Sequence, residues 1–286
     1  MSNGETTHSL SRSDKSGRVM TYAVLLCGAV VLLIPFVFMV SSSLKTEAEV
    51  AAGSISIIPK EVQWQNYPDS LEKMRFRSAL ANTVVITVLS VLGQILSSSL
   101  VGFGFARFRF RGRNILFMIM LSTMMLPAQV TMIPVFVLFR TLGWIDTFWP
   151  LIIPAWLASP FFVFMFRQFF AQVPEELMEA ARIDGAGNWT IYWRLMMPLC
   201  GPVIAIVAIY TFMGAWNDFL GPLIYLNSPR NRTLALALAA FNGQYGITDA
   251  QQLMAASCVT MLPCIVLFFA AQKYFVESVA MTGLKS

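Results

Sequence analysis

Six apolar stretches, each long enough to cross a bilayer, dictate what this chain can fold into. They lie at roughly residues 19–42, 79–105, 115–139, 148–170, 199–222 and 253–272, and a span needs about 20 mainly apolar residues. In hydrocarbon the backbone must satisfy its own hydrogen bonds, so such runs predict helices. The expected fold class is therefore an all-α polytopic membrane protein with six transmembrane helices. Composition agrees, since 57% of residues are hydrophobic and 12% are charged, against about 45–50% and 25% in soluble domains. The four cysteines fall in or beside apolar runs, where a thiol behaves as a small hydrophobe, so no disulfide framework is suggested.

The first run is too long for a signal-peptide core of roughly 7–15 residues, and no small-residue cleavage site follows it cleanly. It is expected to be a retained span, extending a permease domain over 19–275. The tail before it, residues 1–18, is rich in Ser, Thr and Gly and is expected to be disordered. A second tail, 276–286, follows the last span. Pro127 and Pro134 should bend or open the third span. Residues 233–240 are apolar but too short to cross, which assigns them to a loop. Gly102 and Gly104, inside the second span, are expected to serve helix packing, and Asn82 and Gln94 to hydrogen-bond between helices.

Lysines and arginines near the span ends set orientation. With the N-terminus inside, 12 of the 20 cations fall on the inner side and 8 on the outer. The turn Arg107, Arg109, Arg111, Arg113 is the strongest local vote. Both termini and the segment 171–198 are thus expected in the cytoplasm. Scattered in short loops, these cations read as topology signals, and nucleic acid is not an expected partner. Loops 45–78 and 223–252 are expected outside; the first carries Trp64 and Tyr67, which suit a membrane interface.

Between the fourth and fifth runs lies a polar island, PEELMEAARIDGAGNWTIYWRLMMP at residues 174–198. Its pattern is two short helices joined by a glycine turn. Pro174 suits a first turn, and Glu175 and Glu176 follow where the helix dipole favours negative charge. Leu177, Ala180 and Ala181 share roughly one face. Gly185 and Gly187 end the helix, Asn188 can cap a second one, and Pro198 should stop it. Small Ala180 and Ala181 would let another surface approach, while Glu179, Arg182 and Asp184 offer charge. An amphipathic helix lying flat on lipid is the rival, disfavoured because an anionic leaflet repels an acidic first turn.

Chemistry is conspicuous by its absence. The chain has no G-x-x-x-x-G-K-[ST], no H-E-x-x-H, no C-x-x-C and one histidine, His8, so neither catalytic residues nor metal ligands are expected. Charges within the runs are nearly confined to Asp218, beside Trp216 and Asn217. Asp218 either faces a polar bundle interior or merely terminates a helix at the water interface. So few buried acids argue against a proton- or sodium-coupled carrier, although a self-sufficient carrier or channel stays as the alternative function.

The motif E-A-A-x-x-x-G at Glu179–Gly185, followed by Leu195-Met196-Met197-Pro198, resembles the EAA loop of ABC importer permeases. The family pattern ends in I-x-L-P, and the exchanges here are apolar. NTVVITVLSVLGQ, ARFRFRGRN, RQFFAQVPEELMEAARIDGAG, AWNDFLGPLIYL and QKYFVESVAMTGLKS extend the likeness to the carbohydrate-uptake branch, in particular the smaller permease of maltose-type systems. The resemblance implies a type I importer permease fold and a bacterial cytoplasmic (inner) membrane location. Implied partners are a second, different permease, a homodimeric cytoplasmic ABC ATPase, an extracytoplasmic solute-binding protein and a carbohydrate solute. ATP and Mg would be bound by the ATPase, with no cofactor in this chain. By the same resemblance Glu179, Ala180, Ala181, Arg182, Asp184 and Gly185 form the coupling helix. Phe241, Asn242, Gly243, Gln244 and Tyr245 would reach the binding protein, and the tail Phe275–Ser286 would extend between the ATPase subunits. Trp216, Asn217 and Asp218 would line the translocation path.

Overall fold

The computed structural model describes residues 12–53, 56–244 and 249–283, and among these there are helices and turns but no strand. In order they are α1 (Arg12–Ser43), α2 (Glu47–Ala51), α3 (Asn66–Lys73), α4 (Phe76–Arg107), α5 (Arg113–Ser122), α6 (Ala128–Thr141) and α7 (Trp149–Ile152). Then come α8 (Pro160–Gln172), α9 (Glu175–Ile183), α10 (Asn188–Leu199), α11 (Gly201–Trp216), α12 (Leu220–Tyr225), α13 (Leu234–Gln244) and α14 (Ala250–Gly283). Among the described residues four segments are long and apolar enough to cross a membrane: Val19–Ser43, Phe76–Arg107, Trp149–Gln172 and Ala250–Ala270. The count rises to six if two sharply bent pairs are each one span.

Those two bends have different causes. The pair Arg113–Met125 and Ala128–Thr141 meets at 98°, and Pro127 stands at the break in extended geometry (φ −66°, ψ 138°). Leu126 before it is extended too, as a residue preceding proline prefers. Pro134, expected to act likewise, instead lies inside unbroken α6. The second pair, Asn188–Leu199 and Gly201–Trp216, meets at 77°. Here Pro198 does not stop the helix. Residues Ile191–Met196 widen into π-helix and the turn comes at Cys200, a winding that accommodates a proline ring which would otherwise crowd the carbonyl one turn back.

Helix also extends further than composition suggested. Residues 12–18, expected as disordered tail, are helical, and α14 runs on through 276–283. The segment 223–252, expected as an outer loop, contains α13, so most of the apolar run 233–240 is helical. It stays short because it has only to cover a neighbour. Leu234 and Leu236 are buried, and the Leu234 amide donates to Thr83 Oγ1 on α4 at 2.8 Å.

The chain divides into two compact units, Met1–Ser70 with Tyr245–Cys258, and Leu71–Gln244 with Val259–Ser286. In the first, Asn66 ties the end of α1 to the start of α3 by donating to the carbonyls of Ser43 and Lys45, both at 2.9 Å. Ser43 Oγ and the Tyr67 hydroxyl share a further bond of 2.9 Å. Trp64 is exposed.

In the second unit α4 is the axis, packed against α8 and α11. Its buried face is built from small and hydroxyl residues, which let helix backbones approach closely where no hydrophobic drive operates. Asn82, expected to bond between helices, donates instead to the carbonyls of Arg230 and Arg232 in the link before α13, at 2.8 and 3.0 Å. Gln94 turns instead to Ser98 on its own helix. The two glycines of G-F-G divide. A Cβ on Gly102 would stand 2.7 Å from Phe166 Cβ and 3.1 Å from the Arg167 amide, whereas one on Gly104 would meet nothing within 4 Å. Gly102→Ala is therefore expected to destabilise the α4–α8 crossing by about 1–3 kcal/mol, the ordinary range for overpacking, while Gly104→Ala is neutral or better. Thermal unfolding in detergent checks this, and equal melting points for the two variants would refute it.

Across the same unit the link 142–148 is latched to the chain after α12. Asp146, at φ 62°, accepts from the amides of Asn227 and Ser228 at 3.0 and 2.9 Å and from Asn231 Nδ2 at 3.1 Å. The Ser228 hydroxyl and these donors hold its carboxyl down at about 2, so it stays ionised at any physiological pH.

Candidate functional site

The polar elbow is formed by α9, the turn 184–187 and α10. Helix α9 starts after Pro174, whose extended backbone (φ −54°, ψ 139°) delivers Glu175 and Glu176 into the first turn, beside the positive end of the dipole. Its end is a full Schellman motif. The Ala186 amide donates to Ala181 O at 2.9 Å and the Gly185 amide to Arg182 O at 3.0 Å, while Gly185 takes φ 84°. Ala181 and Ala186, the pair that this motif brings together, both pack on the hydrophobic core.

The faces differ from those expected. Met178 is the buried anchor at 3% exposure, and Leu177 is 46% exposed. Ala181 is half-buried and turned inward, so of the two alanines only Ala180 is presented outward. Exposed on α9 and its turn are Glu175, Glu176, Glu179, Ala180, Arg182, Asp184 and Gly185. One residue carries a signal the sequence pattern did not reveal. Ile183 is 86% exposed, and Trp189, just beyond the turn, is 64% exposed. An acidic helix with two large apolar side chains held in the open has the composition of a binding surface, since such groups stabilise only once covered.

Behind this surface the elbow is firmly anchored. Tyr192, 1% exposed, shares a 2.7 Å hydrogen bond with Ser99 on α4. Its ring centroid lies 5.4 Å from that of Phe103, which in turn meets Phe170 edge-on at 5.9 Å. Ile191, Met196 and Cys200 complete one cluster joining the elbow to α4, α8 and α11. Gly187, not Asn188, occupies the cap of α10. Arg107, the last residue of α4, donates from Nη2 to the carbonyls of Phe170 and Val173, where α8 runs out into the elbow. The elbow is thereby in contact with three helices.

The expected path residues separate. Trp216 and Asn217 line a cavity of about 330 Å³ together with Met213, Leu238, Thr260 and Met261. Asp218 does not line it. Its Oδ1 accepts the Gly221 amide at 3.1 Å, and Gly221 has no room for a Cβ, which would fall 2.4 Å from Asp218 Oδ2. Asp218 thus stands at the junction between α11 and α12. Among the residues expected to touch a binding protein, Phe241 is 2% exposed. Asn242, Gly243 and Gln244 close α13, and Tyr245 lies outside the described residues. The segment is thus largely helix, not loop, and the Phe241 ring is turned inward. Among the described residues no cluster of three or more His, Cys, Asp or Glu could hold a metal.

Fold and elbow together define a polytopic helical membrane protein with one ordered polar projection. Residues 94–281, which include the elbow, match the family described as binding-protein-dependent transport system inner membrane component. The arabinooligosaccharides transport system permease protein AraQ of Halalkalibacterium halodurans is 34% identical over 260 residues, covering 90% of this chain and 92% of that one. The melibiose/raffinose/stachyose import permease protein MelC of Bacillus subtilis is 30% identical over 275 residues, with 95% and 98% covered. A solved bacterial ABC transporter, involved in the import of the acidic polysaccharide alginate, superposes with a TM-score of 0.81 at 25% identity, over 94% of this chain and 100% of that one. The chain belongs to the binding-protein-dependent transport family: it is an ABC importer permease of the carbohydrate-uptake branch, a multi-pass inner membrane component with the type I fold.

Proposed function

We propose that this chain forms, with a second permease, the translocation path of an importer for a sugar or oligosaccharide, driven through the elbow by a separate homodimeric ATPase. The exposed acidic and apolar face of α9, backed by the cluster around Tyr192, is the observation that carries the reading. The ATPase supplies ATP and Mg, and its closure rotates the elbow; because the elbow is fixed to α4, α8 and α11, the bundle follows from inward-open to outward-open. An extracytoplasmic binding protein delivers the solute. The carbohydrate assignment is supported by the names of the relatives, among them AraQ and MelC. The cation distribution supports cytoplasmic termini and a cytoplasmic elbow. Trp216 and Asn217 offer an aromatic face and an amide to hydroxyl-rich solutes in the path.

The elbow is tested by two changes of different chemistry, Glu179→Lys and Ile183→Asp. Both side chains are exposed, so insertion and melting temperature should not change. Each should weaken capture of the ATPase about 30-fold or more, the effect of losing one interfacial hot spot, and uptake into proteoliposomes should fall with it. The chain reconstituted alone should move no solute under an ion gradient. Wild-type uptake by both variants would sink the coupling role.

A further inference from the structure

The turn joining α4 to α5 is not used by the transport mechanism, yet it is the most cationic stretch of the chain. Arg107, Arg109, Arg111 and Arg113 alternate with Phe108, Phe110 and Gly112, and no Asp or Glu occurs between Glu72 and Asp146. Nor, among the described residues, does an acid line the groove beside the turn. A groove of about 370 Å³ is lined by Arg109, Phe110, Gly112, Arg113, Asn114 and Ile115, without a carboxylate. Glu175 acts on Arg107, which is already engaged with two carbonyls. Arg113 reaches only the Phe108 carbonyl, at 3.4 Å, and repels Arg167 on α8. Among the described residues no carboxylate is recorded against Arg109, Arg111 or Arg113.

The surroundings of the groove are as apolar as its lining is basic. Phe108 and Phe110 are 38% and 45% exposed, and Ile115 and Leu116 are 60% and 51% exposed. All sit at the end of one candidate span and the start of the next, at the depth where hydrocarbon gives way to headgroups. We propose that this turn binds an anionic phospholipid: its phosphate is held by Arg109 and Arg113, with Asn114 as a further donor, and its acyl chains lie along Phe110 and Ile115. Guanidinium forks suit phosphate oxygens, and aromatic and aliphatic side chains suit the chain region. An acidic protein surface would satisfy the arginines but leave the aromatic and aliphatic rim uncovered, and free phosphate would do the same.

The test uses the purified full-length chain in neutral detergent. Palmitoyl-oleoyl phosphatidylglycerol and the matching phosphatidylcholine are added at equal concentration, and bound lipid is counted by native mass spectrometry. Phosphatidylglycerol should be retained preferentially. Arg109→Gln/Arg113→Gln should weaken that retention about thirtyfold, whereas Lys60→Gln/Arg77→Gln, an equal charge loss elsewhere, should not. Arg109→Lys/Arg113→Lys should recover part of it, which separates lost charge from lost folding. Equal loss in both glutamine pairs, or none in either, overturns the proposal. So does displacement of the lipid by inorganic phosphate at tenfold excess, or retention of lipid by the Arg109→Gln/Arg113→Gln pair alongside loss of ATPase capture.

Discussion

Replacing Gly185 with valine is expected to abolish solute uptake while leaving the chain inserted in the membrane. Gly185 holds φ 84°, and the two Schellman bonds that end α9 exist only while it does. A β-branched residue there costs about 1–3 kcal/mol or more of backbone strain, comparable to the ordering energy of an exposed nine-residue helix. Crowding is not a confounding cause, because a Cβ at this position meets nothing within 4 Å. The expectation is therefore graded by conformational tolerance alone. Gly185→Asn, whose side chain accepts left-handed geometry, should transport near wild-type levels, Gly185→Ala should lie between, and Gly185→Val should fail. Uptake into proteoliposomes, alongside chemical cross-linking of the elbow to the ATPase, reads all three. A valine variant that couples normally would show that the shape of the turn is irrelevant.

Arg107→Ala is expected to be the most damaging change away from the elbow's surface. Its guanidinium serves the carbonyls of Phe170 and Val173, the last turn of α8 and the residue before Pro174. Without it both acceptors lose a charge-assisted bond at a site that is only partly wet, a cost of about 2–3 kcal/mol. The elbow would then lose its attachment to α4 at the point where α8 hands over to α9. Amide hydrogen exchange over 170–185 should quicken by about tenfold or more, and uptake should drop in parallel. Arg107→Lys keeps the charge but not the fork, so it should rescue only in part. Unchanged exchange in the alanine variant would contradict the clamp.

Read as sequence alone, Arg107 is one of four cations marking the inner side of a membrane. Nothing in its spacing distinguishes it from Arg109 or Arg111, which are exposed. Its role depends on Phe170 and Val173, more than sixty residues away, and only a folded α4–α8 crossing brings those carbonyls within reach. Ile183 shows the reverse case. The sequence pattern groups Leu177, Ala180 and Ala181 on one face and gives Ile183 no role, yet the helix is turned so that Met178 fills the core and Ile183 stands in the open.

Local rules did determine a great deal. Runs of about 20 apolar residues can only become helices, because hydrocarbon offers the backbone no other partner. A glycine after an amphipathic turn ends a helix because it alone enters left-handed geometry freely. Both follow from a few neighbouring residues, so the six apolar segments, the elbow and its turn were legible. Tertiary structure decided what depends on distant atoms: that the span breaks at Pro127 while the helix runs on through Pro134, that Gly102 is a crossing point and Gly104 a bystander, and that Asp218 accepts the Gly221 amide while Trp216 and Asn217 line a cavity. Packing sums contacts across the whole bundle, and no window of adjacent residues contains those terms.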